Sequence, residues 1–525
     1  MKPSILSLLL MMLAYSAVHA TICPKGNAPA KTLYVADVSG LSLDDQLFFS
    51  SLQGITAQKQ PRIYLIRDAK ADRFWLDWML KKGYAEKTIE VQPWDLPKLF
   101  KSEINGAVVP DPDLPATVNI ATMLSGVYQL LICTPEKAQS LGLKVRFDLR
   151  GRWHTNAEAY NWAAERLGPK LNRQIVCSLN PSAAGHWVRD YLVQQRIFTF
   201  WINDNSEKDV MRALLAKWPA NIPVIGFWYA GEHAQGISEY GGLVFGGEIG
   251  KFTVVYDWAT NTSVHSGIQV ASLRQKHAPK LKLDRSKVYV AIHQMDSGDA
   301  PWYWERAQLD NWQDKAHGSF PMGWCVGPAT LDLLPDVILW YYEHATANDN
   351  FYCAMSGAGY LIPQHYADAA WKEYMGLTAD YMKRLDLRMV ALHMDSWSAA
   401  VHYDDSPVFK RYVNGIPGLK GILSDFGSME ALDPKRANHY AFGVPVFHTR
   451  NRWLIEGEPA KYLAKQIRDV TPSDRPAFLS IMALSWTYTP SIIKAALDSL
   501  GPEYVFLTPE QMCDLYRVSG SIHKG

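Results

Sequence analysis

Apolar and polar positions along this chain repeat strand, then helix, from about residue 31 to the end. TLYVADV (32–38) is an apolar, β-branched run of strand length. Residues 44–55 carry apolar positions at helical spacing, with Ser42 in front as N-cap. PRIYLI (61–66) reads as a second strand, and ADRFWLDWMLKKG (71–83) as an amphipathic helix stopped by Gly83. Residues 105–172 repeat the theme with GAVV, an Asp/Pro turn, a helix over 118–124 and the strand QLLICT. Residues 173–280 repeat it again with RQIVCSLN, a helix entering RIFTFWIND, the helix DVMRALLAKWP and the strand IPVIGFWY. Units are therefore expected at 21–104, 105–172 and 173–280, each a small Rossmann-like α/β layer. None opens with GxGxxG, and GGLVFGG (241–247) lacks the Lys-Ser/Thr of a phosphate loop, so no nucleotide site is indicated.

A polar, basic stretch, RQKHAPKLKLDRSK (274–287), reads as the linker into residues 281–525. There the strand candidates are KVYVAIHQM, GWCVGP, FYCAMS, RMVALHM, GILSD, VPVFHT, AFLSIMAL and YVFLTP. Helical stretches such as LLPDVILWYYEHAT and PSIIKAALDSLG separate most of them. Seven or eight β/α units predict a (β/α) TIM-like barrel, seven-stranded on the lower count. An open doubly wound sheet is the alternative.

Composition narrows the class. The chain is 48% apolar with a net charge of +1 and no large block of one sign, which argues against a nucleic-acid partner. Residues 1–20 read as a secretory signal, with Lys2, the apolar run 5–15 and a cleavage site after Val18-His19-Ala20. An exported protein, periplasmic or extracellular, is the expectation. Ala20-Thr21-Ile22-Cys23 is a poor lipobox, and no later apolar run reaches 18 residues, so no membrane span is expected. The six cysteines show no zinc spacing. If the second and third strands of the last unit are neighbours, Cys325–Cys353 is the disulfide to test. Asn261-Thr262-Ser263 is a formal glycosylation sequon. Asn261 and His265 are candidates for a loop over the barrel mouth.

The densest signal is DNFYCAMSGAGYLIP (349–363). An apolar strand runs into Ser-Gly-Ala-Gly-Tyr and then a proline. Gly357 and Gly359 permit close approaches that a Cβ forbids, and they hold Tyr360 at the strand end. Gly357-Ala358-Gly359-Tyr360-Leu361-Ile362-Pro363 resembles the signature of the GxGYxYP family of putative glycoside hydrolases, with Ile362 where the signature has its second Tyr. Residues 31–66 resemble the family's N-terminal start, and 323–352 its approach to the motif. HQMDSGDAPWYW (293–304) resembles its Ser-Asp-Gly-Asp-Asn segment in altered order. The resemblance implies a carbohydrate-active enzyme.

Barrel enzymes carry their chemistry just past the C-terminal strand ends. Here the strands finish in His293-Gln-Met-Asp296-Ser-Gly-Asp299, Tyr360, His393-Met-Asp395-Ser-Trp397, Ser424-Asp425, His448-Thr-Arg450 and Ser485-Trp486. Glycoside hydrolysis needs two carboxyl groups, one donating to the leaving oxygen and one attacking or activating water. The candidate pool is Asp296, Asp299, Asp395 and Asp425. Asp299 and Asp395 are the expected pair, with Asp296 positioning one of them. Tyr360, Trp302, Trp324, His393, Trp397 and His448 are the expected substrate contacts. No cofactor is called for on this reading. Two other readings use the same residues. A metal-dependent polysaccharide deacetylase would hold a divalent ion with His293, Asp296, Asp299, His393 and His448. A non-catalytic glycan-binding protein would use Trp302, Trp304, Trp324 and Trp397 only for stacking.

Overall fold

The computed structural model describes residues 21–228, 238–295, 300–394, 406–424, 437–452 and 455–520. Three small parallel sheets come first. β1 (Thr32–Asp37), β2 (Ile63–Ile66) and β3 (Lys87–Glu90) pair in the order β2-β1-β3. β4 (Gly106–Val109), β5 (Leu130–Ile132) and β6 (Val145–Asp148) pair as β5-β4-β6. β7 (Val176–Ser178), β8 (Phe198–Phe200), β9 (Pro223–Gly226) and β10 (Phe252–Val255) pair as β10-β9-β7-β8. Helices cover both faces of β1. Leu33 and Val35 pack with Leu76 and Met79, while Ala36 packs with Phe48 and Leu52. That two-sided burial is why β1 reads as an apolar run rather than an alternating one.

The last unit builds one large sheet from β11 (Val288–Met295), β12 (Met322–Val326), β13 (Asp349–Cys353), β14 (Met389–Leu392), β15 (Gly421–Ser424), β16 (His439–Ala441), β17 (Val444–His448), β18 (Ala477–Leu484) and β19 (Tyr504–Leu507). Its order is β16-β17-β15-β14-β13-β12-β11-β18, all parallel except the β16–β17 pair. β19 lies beside the first half of β11, from Val288↔Tyr504 to Ala291↔Leu507. β12 meets β11 only at His293↔Gly323 and Gln294↔Trp324.

The sheet curls until its ends approach. Thr449 and Ser480 form a single parallel bridge, and the Arg450 amide donates to Ser480 O at 2.9 Å. The ladders thus make a curled half-barrel of parallel strands; among the described residues they do not make a closed TIM cylinder. All eight strands expected in this unit are present. β16 is the addition, a three-residue edge too short and too polar to stand out in sequence.

Alternation along the strands gives the sheet an inner and an outer face. Tyr289, Ala291, Met295, Cys325, Tyr352 and Phe447 share the inner core with Met512 and Cys513 of the C-terminal helix, Pro509–Ser519. Val290, Ile292, Trp324, Cys353 and Val446 face the surrounding helices. This corrects the Cys325–Cys353 expectation. The strands are neighbours, but Cys353 pairs in register with Val326, so the two sulfurs point to opposite faces and no disulfide joins them.

Asn261 and His265 also depart from expectation, because both are fully buried in the joint between the first unit and the last. Asn261 Oδ1 accepts from the Leu65 amide at 2.9 Å and from Gln53 Nε2 at 2.7 Å, and its Nδ2 donates to Leu65 O. His265 Nδ1 lies 3.0 Å from both Asp336 oxygens. These contacts take up the Asn261 amide and His265 Nδ1, which a mouth loop would have shown to solvent. They also bury the sequon asparagine.

Candidate functional site

The loop after β13 is fixed by Ser356. Its φ is 68°, a left-handed conformation unusual for a residue with a Cβ. Five hydrogen bonds hold it there, and such over-determination is what lets a strained residue persist. Its amide donates to Ala391 O at 2.7 Å, and its Oγ donates to Leu361 O at 2.7 Å while accepting from the His393 amide at 3.2 Å. Its carbonyl accepts from the Tyr374 and Tyr412 hydroxyls at 2.8 and 2.7 Å. Burial pushes both tyrosines well above the usual phenol range, so they remain donors. Tyr374 comes from the helix Asp368–Arg384 and Tyr412 from Ser406–Gly415, so two helices grip one carbonyl.

The glycines then let the loop pack against the third unit. A Cβ on Gly359 would overlap the Phe252 ring and come within 2.7 Å of Thr253 O. Thr253 of β10 and Tyr360 instead form an antiparallel bridge, with amide-to-carbonyl distances of 2.9 and 2.6 Å. Tyr360, 3% exposed, thereby reaches His393 just past β14, and its hydroxyl lies 2.9 Å from Nδ1. Ile362, at the signature's second tyrosine position, is an apolar member of the inner core.

The other histidines are separated from this pair. His293 points into the sheet interior, with Nε2 2.9 Å from Ser480 Oγ and its ring centroid 6.1 Å from that of Tyr352. Burial lowers its pKa to about 3, so it is a neutral imidazole at ordinary pH. His448 continues the face of Val444 and Val446 and packs on His439 of β16, ring centroids 5.4 Å apart. Among the described residues no three His, Cys, Asp or Glu side chains are grouped closely enough to hold a metal ion.

The carboxylates named from sequence, Asp296, Asp299, Asp395 and Asp425, lie outside the described residues, as do Trp397 and residues 1–20. Trp324 lies in the core, 1% exposed, with Nε1 donating to Asp349 Oδ1 at 2.9 Å. Trp304 is equally buried. Trp302 is half-buried at the start of the helix Pro301–Glu305, with ring centroids 6.0 Å from Trp258 and 5.9 Å from Trp486. Sequence reading passed over Ser356, Tyr374 and Tyr412, whose role arises only when three segments meet. Gly-flanking serine next to an apolar run was the available hint.

Among the described residues no helix is long and apolar enough to cross a membrane. Family models match almost the whole of the chain beyond residue 31. The GxGYxYP putative glycoside hydrolase C-terminal domain covers 286–517. The first, second and third N-terminal domains of the same family cover 32–102, 104–171 and 173–267. The crystal structure of a putative hydrolase from Bacteroides thetaiotaomicron superposes with a TM-score of 0.83 at 21% identity, covering 95% of this chain and 97% of that one. No curated protein matches.

Proposed function

We propose, on the premise that this chain belongs to the GxGYxYP putative glycoside hydrolase family, that it hydrolyses glycosidic bonds in an oligo- or polysaccharide. The reaction uses two carboxyl groups at the C-terminal rim of the curled sheet. Asp299 and Asp395 are the pair we assign to proton donation and attack, with Asp296 and Asp425 beside them in sequence order. The observation that most supports this is the rim itself. Parallel strands end together there, and the signature tyrosine, Tyr360, bonds His393 at that edge. Chain connectivity adds to it, since Asp296 follows Met295 and Asp425 follows Ser424, each the last residue of a strand. In α/β sheets this end is where ligands bind.

Tyr360 and His393 then orient a sugar hydroxyl or a neighbouring carboxyl group. The test is mass spectrometry of a broad glycan panel incubated with the protein, with and without EDTA. Cleavage that survives EDTA and is abolished by Asp299→Asn or Asp395→Asn supports the assignment. Full activity in Asp395→Asn overturns it. Loss of acetyl groups that EDTA stops would transfer the chemistry to a metal-dependent deacetylase.

A further inference from the structure

Two half-exposed tryptophans, Trp258 at 49% and Trp486 at 55%, belong to one aromatic row. It begins at Trp187, whose ring is 6.1 Å from Trp258 and tilted from it by only 8°. Trp258 stands 6.0 Å from Trp302 at 28°, and Trp302 stands 5.9 Å from Trp486 at 40°. The first three rings are near-parallel and offset, the fourth is tilted, and Trp258 and Trp486 each keep about half of their surface exposed. The row also crosses a boundary. Trp187 and Trp258 come from the third unit, Trp258 three residues past the end of β10. Trp302 and Trp486 come from the segments that leave the C-terminal ends of β11 and β18.

We infer that this row is a carbohydrate-binding surface for a neutral oligosaccharide, running from the third unit onto the rim of the curled sheet. The inference rests on the carbohydrate reading above and adds to it where the chain of sugars lies. Its chemistry fits that ligand. The C–H face of a sugar ring is apolar and flat, and its hydroxyls need partners around the edge. The row offers the half-exposed indoles of Trp258 and Trp486, with buried polar groups packed at its start. Arg306 lies over Trp187 with its guanidinium carbon 4.7 Å from the ring centroid. One Arg306 nitrogen bonds Asp68 at 3.0 Å, and Nη1 is buried without a hydrogen-bond partner among the described residues. His186, with its ring 4.5 Å from Trp187, is buried, and neither ring nitrogen is bonded among the described residues. Arg306 is already paired with Asp68, so its charge is not held open for an anion, which fits a neutral glycan.

Position supplies the second argument. The row meets the rim at two strand ends, so it is continuous with the edge to which the bond-breaking carboxylates are assigned. A long substrate would be held there by rings remote from the cleaved bond, a standard use of binding energy. The third unit would then contribute substrate contacts as well as packing.

The experiment measures binding of cellohexaose, xylohexaose, mannohexaose and chitohexaose, and of the matching disaccharides, by calorimetry and tryptophan fluorescence. Cleavage is followed in the same samples by mass spectrometry. Wild-type protein is expected to bind at least one hexasaccharide more tightly than its disaccharide. Trp258→Ala and Trp486→Ala are each expected to weaken that binding roughly tenfold, with Trp258→Phe losing less. Both side chains are half-exposed, so folding, checked by circular dichroism, is expected to survive. Hexasaccharide binding unchanged in both alanine variants overturns the inference, as does the absence of binding to every probe. If such variants still cleave like wild type, the row falls and the glycosidase reading stands. If a hexasaccharide binds through the row and is never cleaved, the row stands and the hydrolase reading falls.

Discussion

The hydroxyl of Tyr360 and Nδ1 of His393 lie 2.9 Å apart, and both residues are held to that contact through Ser356. Ser356 Oγ accepts from the His393 amide and donates to Leu361 O, one residue beyond Tyr360. One strained serine thus sets the backbone on either side of the pair.

Tyr360→Phe removes a single oxygen from this arrangement. It is expected to cost about 1 kcal/mol of stability, because a buried hydrogen bond is lost and the imidazole nitrogen loses that partner. If the proposed function holds, glycan cleavage is expected to fall at least about tenfold, because the pair stands at the rim assigned to the reaction. Denaturant unfolding and cleavage rates read both. An unaltered rate would make the contact a bystander.

Two glycine substitutions separate close approach from ordinary helix chemistry. Gly359→Ala forces a methyl group into Phe252 and toward Thr253 O, with an expected loss of about 1–3 kcal/mol. Hydrogen exchange should show reduced protection in β10, where the bridge to Tyr360 is made. Gly376→Ala, inside the helix Asp368–Arg384, meets nothing within 4 Å and is expected to stabilise by up to about 1 kcal/mol.

Glu305 predicts a pH dependence. Its Oε1 is 2.8 Å from the Thr260 hydroxyl, which is also 2.7 Å from Asp72 Oδ1. One hydroxyl proton cannot serve both carboxylates fully. Burial, the largest influence, raises Glu305 from 4.5 to about 7, so a protonated Glu305 can donate to Thr260 while Thr260 donates to Asp72. Between these pH values the folded chain holds a proton that the unfolded chain has released. Stability from this group therefore falls as pH rises from about 4.5 to about 7 and levels off above that. Glu305→Gln should abolish that slope, with a gap over wild type that grows across the window to roughly 3 kcal/mol. Thermal melts from pH 4 to 8 test it. A gap that stays constant would sink the argument.

Trp324, chosen from sequence, and Trp258, found only in the structure, should behave as two classes. Trp324→Ala empties a core position and strips a hydrogen bond from Asp349, so a loss of about 3–5 kcal/mol is expected. Trp258→Ala, at a half-exposed site, should stay within about 0.5 kcal/mol of wild type. A folded Trp324→Ala protein with normal stability and lost glycan binding would return Trp324 to the substrate site.

Much of the fold was legible because buried parallel strands are written as continuous apolar runs. GWCVGP, FYCAMS and AFLSIMAL became β12, β13 and β18. The GAGY turn stood out because its glycines have no other local use. The roles of individual side chains were harder to read. Trp302 and Trp324 look alike in sequence, and only their depth separates them. Trp187, Trp258 and Trp486 belong to one row but are far apart along the chain. Cys325 and Cys353 lie on adjacent strands, yet a one-residue difference in register turns them to opposite faces. His448 follows an apolar strand just as His393 follows another, but alternation along β17 points it to His439. Asp296, Asp299, Asp395 and Asp425 were chosen for their place after strands, and the rim they follow is the part that tertiary structure adds.

The bridge between Thr253 and Tyr360 ties a tyrosine of the signature to the edge strand of a different unit. Gly359 is needed there because the neighbour is the backbone of β10, whatever chemistry takes place at the rim. A recombination event that replaced the third unit with an unrelated α/β layer would leave the hydrolase-like unit intact in sequence but without the strand that seats its Tyr360. The seat of Tyr360 is therefore shared between two units, and neither supplies it alone.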